Sequence, residues 1–183
     1  QMISRNKGQS AVAAAAYRHG AKYNDERIGE EFDYTKKKNV NEGFILAPKN
    51  TPEHLLESES LWNNVEKSES KVNSQVAREV VFALPTELDK EQQIALATEY
   101  CQKHFVDRGM IADLAFHKLD ANNPHFHVML TTRQIDATTE TGFSAKKERA
   151  WNDRGMMDEW RKGWEETTNQ HLEKAGCDAR IDR

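Results

Sequence analysis

The chain has 183 residues, of which 37% are apolar and 31% charged, with a formal charge of −4. That length is enough to bury a core as one domain spanning residues 1–183, and the composition excludes disordered and collagen-like classes. No apolar run approaches the roughly 18 residues of a membrane span and no signal-peptide pattern opens the chain, so it reads as a soluble intracellular domain with no membrane insertion.

Cations gather near the N-terminus, where Arg5, Lys7, Arg18, Lys22 and Arg27 face only Asp25 and Glu26. Any bound anion is therefore expected there. Ser10, the run Ala11 to His19 and Gly20 predict a short helix with an N-cap and a glycine stop. Residues 24–50 are polar and read as irregular, with the basic run Lys36 to Lys38 and one extended segment at Phe44 to Ala47. Thr51-Pro52 is expected to open a second helix running to about Ser68, with Leu55, Leu61, Trp62 and Val65 as its apolar side. The same stretch is acidic through Glu53, Glu57, Glu59, Glu66 and Glu69.

Arg78 to Leu84 alternates as a strand and Pro85 ends it. Asp89 with Gln92 three residues on forms a capping-box signal, and Ile94, Ala97, Cys101 and Phe105 give the stripe of a helix stopped by Gly109. Ile111 to Lys118 and His125 to Thr132 read as two strands across a turn-rich linker. A polar stretch with Lys146, Lys147 and Arg149 precedes the last helix, from about Asn152 to Ala175, whose stripe is Met156, Trp160, Trp164, Thr167 and His171. Interleaved helices and a strand hairpin predict an α+β fold: a mainly antiparallel sheet of about five strands flanked by helices. Cys101 and Cys177 lack any disulfide or zinc-knuckle spacing and read as buried or idle thiols. The start at Gln1 and the polar stop at Arg183 read as a piece of a longer protein.

His125-Phe-His127 opens an apolar strand, and alternation puts both imidazoles on one face. If residues 111–118 pair with it as an antiparallel hairpin, His117 reaches the same end of that face and three imidazoles converge. Such a trio suits zinc, manganese, cobalt or nickel better than magnesium, whereas a lone pair of histidines on a strand is commonly structural. A histidine-triad hydrolase needs a third alternating histidine where Met129 stands. No G-x-S-x-G, phosphate-binding glycine loop or activated cysteine occurs, which leaves a tyrosine as the available nucleophile. Tyr17, beside Arg18 on the first helix, is one candidate, although an isolated helical tyrosine usually serves packing.

The run Ser4 to Arg18 (SRNKGQSAVAAAAYR), the segment Glu79 to Pro85 (EVVFALP), Asn123-Pro-His-Phe-His127 and Asp178-Ala-Arg-Ile-Asp182 together resemble the MobA/MobL family of plasmid relaxases, in order along nearly the whole chain. The resemblance implies the His-hydrophobic-His endonuclease superfamily, in which a helix-flanked antiparallel sheet holds a divalent metal over the scissile phosphate. Manganese or magnesium is implied first, with zinc, cobalt or nickel as alternatives. It also implies Tyr17 as nucleophile, His117, His125 and His127 as metal ligands, and Glu79 as a carboxylate that orients a ligand or a water.

The implied function is strand-specific nicking and rejoining of DNA at an origin of transfer, through a covalent 5′-phosphotyrosine, in the bacterial cytoplasm. Arg5, Lys7, Arg18, Lys22, Lys146, Lys147 and Arg149 are the expected contacts to single-stranded or hairpin DNA. A coupling protein and a type IV secretion system are the implied partners. A rolling-circle replication initiator, or a DNA-binding module with structural histidines, are the alternatives. Two departures stand out. An extended strand expected ahead of Gln1 to Ile3 is missing or cut short, and Val81 replaces a carboxylate that some relatives carry, which thins the support of the metal. Tyr23, six residues beyond Tyr17, is turned away from it and reads as packing, with a backup nucleophile as the alternative.

Overall fold

The computed structural model describes residues 1–183. In chain order its elements are β1 (Met2–Ser4), α1 (Ala11–His19), β2 (Lys22–Asp25), β3 (Glu30–Asp33), β4 (Val40–Leu46), α2 (Ser58–Lys67), β5 (Gln75–Ala83), α3 (Lys90–His104), β6 (Ala112–His117), β7 (His125–Leu130) and α4 (Arg154–Lys174). Five strands form one sheet in the order β1-β5-β7-β6-β4, every neighbour antiparallel. The fold is thus the α+β, helix-flanked antiparallel architecture that the strand hairpin and interleaved helices predict.

Alternation along the central strands divides the apolar side chains between two faces. On one, Phe82, Leu114, Phe116, Phe126 and Val128 pack with Tyr100, Cys101 and Phe105 and with Met156, Trp160 and Leu172, so α3 and α4 cover this side. On the other, Ala77, Ile111 and Met129 meet Val12 and Ala15 of α1 and Leu61, Trp62 and Val65 of α2. The short side chains of α1 let it lie close to its neighbours.

Cap chemistry fixes the helix starts. Ser10 Oγ accepts from Ala13 N at 3.1 Å, and Asp89 with Gln92 closes a complete capping box. Gly20, at φ +58°, ends α1 in the left-handed region.

Four expectations change. Residues 24–50 are not irregular: β2 and β3 form a two-stranded ribbon, and β4 starts at Val40, ahead of Phe44. The helix expected from Thr51-Pro52 breaks into a short 3₁₀ turn at Glu53–Leu55 and a helix from Ser58, because Pro52 sits at φ −55°, ψ 141°, outside helical space. The strand expected to be missing or cut short ahead of α1 is present as Met2–Ser4, which pairs with β5 at the sheet edge. Arg149–Asn152 forms a separate 3₁₀ turn, so α4 begins at Arg154, two residues later than expected.

Candidate metal centre and nucleophile

His117 closes β6 and His125 opens β7, and the two are direct register partners across the hairpin. His127 lies two residues along the same face, opposite Ala115 on one side and Val81 on the other. One nitrogen from each imidazole falls within 4.8 Å of the others. The structure therefore brings together the three histidines that alternation places on one face.

Each ring is oriented by its surroundings. His117 Nε2 donates to the Arg18 carbonyl at 2.7 Å, and His125 Nδ1 donates to the Asn123 carbonyl at 2.8 Å. These bonds put the proton on the engaged nitrogen and leave a lone pair on the other. His127 Nδ1 is buried without a hydrogen-bond partner, 3.7 Å from Glu79 Oε1. Burial pushes the His117 imidazole down to about 4, so it is neutral near pH 7 with a free lone pair. Three imidazoles converging at one sheet end, two of them oriented by backbone carbonyls, fit a divalent ion that accepts nitrogen ligands.

Glu79 sits on the same face, only 6% exposed. Burial opposes its ionisation, but His127 and Arg18 outweigh that and hold the carboxyl at about 2. Arg18 Nε binds Glu79 Oε2 at 2.5 Å. Arg18 thus ties the end of α1 to the histidines twice, through its carbonyl to His117 and through its guanidinium to Glu79. Val81, at the place of the absent carboxylate, is 51% exposed beside His127 and offers no ligand.

Tyr17 precedes Arg18 and is 45% exposed. Its ring lies edge-on to Tyr34, with centroids 5.2 Å apart at 89°. Lys37 Nζ stands 3.6 Å from the Tyr17 ring centroid and donates to the Tyr17 carbonyl at 2.9 Å. The sequence marks Lys36 to Lys38 only as a basic run. Which of the three turns inward is decided by tertiary contact, so Lys37 carries no local signal. Tyr23 packs at the edge of the core between α1, α2 and the sheet.

The expected DNA contacts divide into three groups. Arg5 makes five hydrogen bonds inside the fold, to Glu66, Glu69 and Lys71, so its guanidinium is committed to holding the chain together. Arg18 serves the histidine site, and Lys22 pairs with Glu31 on the ribbon at 3.1 Å, while Lys7 is exposed and makes no ion pair. Lys146, Lys147 and Arg149 line one open cleft with Lys71 and Arg133, in which Glu69 takes up Arg133 and Lys147. A groove beginning at Tyr17 runs between α1 and the ribbon over Phe32 and Tyr34, and Ser70 lines both it and the cleft.

A five-stranded antiparallel sheet with helices on both faces, three imidazoles at one end and a tyrosine on the abutting helix is a relaxase-like fold. The chain belongs to the MobA/MobL family, whose model matches residues 9–183. It is 37% identical to a conjugal transfer protein TraA of Agrobacterium fabrum, across 99% of this chain and 19% of that protein. It is 31% identical to a mobilization protein MobL of Acidithiobacillus ferridurans, across 98% of this chain and 55% of that one. A solved structure described as "Molecular Basis of Vancomycin Resistance Transfer in Staphylococcus aureus" superposes with a TM-score of 0.92 at 36% identity, covering 100% of this chain and 94% of the other. The chain therefore spans about a fifth of the TraA relative's length.

Proposed function

We propose that this chain is the nicking domain of a conjugative relaxase that cleaves and rejoins one DNA strand at an origin of transfer. The observation that carries the reading is the double tie of Arg18, which fixes the helix bearing Tyr17 against His117 and Glu79. The family and the relatives named for conjugal transfer and mobilization support transfer over replication as the setting.

In this reading His117, His125 and His127 hold a divalent cation. When bound, that cation supplies Lewis-acid stabilisation of the charge building on the non-bridging phosphate oxygens. Tyr17 Oη attacks the phosphorus in line with the bond to the 3′-oxygen. As the new O–P bond forms, the bond to the 3′-oxygen breaks. The phenolic proton departs and the 3′-oxygen takes one up, leaving a 3′-hydroxyl and a 5′-phosphotyrosine. The diester conserves the energy of the broken bond, so a free 3′-hydroxyl can reverse the step. Glu79, ionised at neutral pH, keeps Arg18 and His127 in place.

The strand approaches Tyr17 along the groove floored by α1, where Phe32 and Tyr34 offer stacking faces. Flanking or hairpin DNA lies in the cleft of Lys146, Lys147 and Arg149, where the backbone charge meets cations. No helix is long and apolar enough to cross a membrane. The reaction belongs in the cytoplasm, with a coupling protein and a type IV secretion system as the partners that export the product.

The test is a denaturing gel of the chain with labelled single-stranded transfer-origin DNA and manganese. Wild type should form a covalent protein–DNA adduct, and Tyr17→Phe should form none while binding the strand with little change. Cleavage without an adduct would replace tyrosine by water as nucleophile and overturn the reading.

A further inference from the structure

The geometry points to Lys37 as a positioning residue for Tyr17: one ammonium holds both the ring and the backbone carbonyl of the nucleophile and keeps a positive charge, paired with no carboxylate, over the face of that ring. The inference rests on the reading of Tyr17 as nucleophile.

Three features single out Lys37. Within the basic run Lys36 and Lys38 are exposed, whereas Lys37 is half-buried. Its Nζ lies 3.6 Å from the ring centroid of Tyr17 and 2.9 Å from the Tyr17 carbonyl oxygen, so it grips a side chain and a main-chain group of the same residue. The turn that carries it is itself anchored, since Lys37 N donates to the Tyr34 carbonyl at 3.0 Å and Tyr34 N donates to the Ala21 carbonyl at 3.0 Å. The same turn thus supplies the Tyr34 ring that meets the edge of Tyr17 and the ammonium that covers its face.

Charge bookkeeping around α1 makes Lys37 unusual. Arg5 and Arg27 are paired with Glu66, and Arg18 with Glu79. Lys37 makes no ion pair with any carboxylate. Burial and the nearby Arg18 weaken its hold on its proton, against a smaller opposing pull from Glu79. A half-buried ammonium without a carboxylate is costly unless its charge is used. The face of a tyrosine ring and a helix-terminal carbonyl use part of it. An incoming phosphodiester and the oxygen that loses its proton during attack use the rest. No atom of Lys37 enters a product, because the bond formed is Tyr17 Oη to phosphorus and the bond broken is phosphorus to the 3′-oxygen.

The test separates charge from bulk. Lys37→Cys is made in a Cys177→Ser background, which leaves Cys101 buried as the only other thiol. The cysteine is then alkylated with 2-bromoethylamine, which rebuilds a side chain of lysine length ending in an ammonium, or with iodoacetamide, which ends in a neutral amide. Adduct formation is followed in single turnovers with labelled transfer-origin single strand and manganese, and strand affinity is measured separately on Tyr17→Phe versions of the same proteins.

Lys37→Cys should form the adduct at least about tenfold more slowly, with affinity changed by less than about threefold, as expected when orientation of a nucleophile is lost. Aminoethylation should restore most of the rate and the amide should not, and Lys37→Arg should retain more activity than Lys37→Cys. Equal rates for Lys37→Cys and the background, rescue by both reagents, or a rate loss matched by an equal affinity loss would each overturn the inference. An adduct absent in the background protein itself would overturn the reading of the site, a result distinct from all three.

Discussion

Asp113 shows how one side chain holds the site from behind. It is 3% exposed on β6, and its two oxygens accept from His19 Nε2 at 2.6 Å, Ser58 Oγ at 2.6 Å and Trp62 Nε1 at 2.7 Å. Three elements, α1, α2 and the sheet, are therefore joined at one carboxylate, and His19 follows directly on Tyr17 and Arg18. Asp113→Ala would strand three donors in a dry interface. We expect a loss of about 3–5 kcal/mol, read as a lower denaturant midpoint at unchanged slope. Asp113→Asn keeps the shape and one acceptor oxygen and should lose clearly less. An Asp113→Ala protein as stable as wild type would show that water satisfies those donors. This hub was not legible in the sequence, because its partners lie 94, 55 and 51 residues away and nothing local marks an aspartate in an apolar strand as a ligand for a histidine. The convergence of the histidines was legible, because strand alternation and a hairpin fix the relative height of His117, His125 and His127 without any other tertiary information.

The element that matters most is α1, pinned at both ends. At its start Ser10 caps Ala13 N and Glu66 Oε1 accepts from Ala11 N at 3.0 Å. At its end the His19 imidazole crosses β4 at Gly43, where an added Cβ would come within 2.4 Å of the ring and 2.7 Å of the Leu114 carbonyl oxygen. Gly43→Ala must then push His19 off Asp113 or β4 off β6, at a cost of about 1–3 kcal/mol. In a His19→Ala background the ring is gone and the same substitution should cost less, because the two changes share one contact. Additive losses in that double-mutant cycle would place the conflict at the Leu114 carbonyl and not at the imidazole. The three central strands β5, β6 and β7 and α3 were readable from periodicity and capping, whereas β1 and the start of β4 were not. The ribbon was not, because Lys22–Asp25 and Glu30–Asp33 are short and almost wholly polar, with Tyr23 and Phe32 as their only apolar side chains. Its pairing depends on packing against α1, a tertiary contact that hydropathy cannot report. The start of α2 misled for a different reason: Pro52 takes an extended ψ of 141° and opens only the short 3₁₀ turn Glu53–Leu55, so the helix starts afresh at Ser58.

For the whole molecule, two histidines and a carboxylate shape much of the response to acid. His104, at the end of α3, stacks on Tyr100 with ring centroids 4.6 Å apart and fills the space over Gly163, and its Nε2 has no partner. Burial, reinforced by Lys103 and Arg108, lowers its affinity for a proton, and burial does the same more strongly for His117 on the opposite face of the sheet, to about 4. Both histidines are depressed below the ordinary value near 6.5, so between these limits the unfolded chain binds more protons than the folded one. Their contribution is fully present above about pH 6.5 and is lost as pH falls, that of His117 being exhausted near pH 4. Glu79 acts in a lower window: held at about 2, its contribution is intact above the ordinary carboxylate range near 4.5 and disappears between there and 2. Acid should therefore weaken the metal-free protein in two stages, at no more than about 1.4 kcal/mol per pH unit for each proton involved. The check is the denaturant midpoint against pH at constant ionic strength with a chelator present, for wild type and His104→Gln. The variant removes one titrating group far from the histidine site, so its slope between pH 6.5 and 4 should be shallower than that of wild type, while the drop below pH 4.5, to which Glu79 contributes alongside Asp33 and Asp136, stays in place. Identical slopes would mean that His104 is protonated inside the fold as readily as outside it, and that the stack on Tyr100 opens to water.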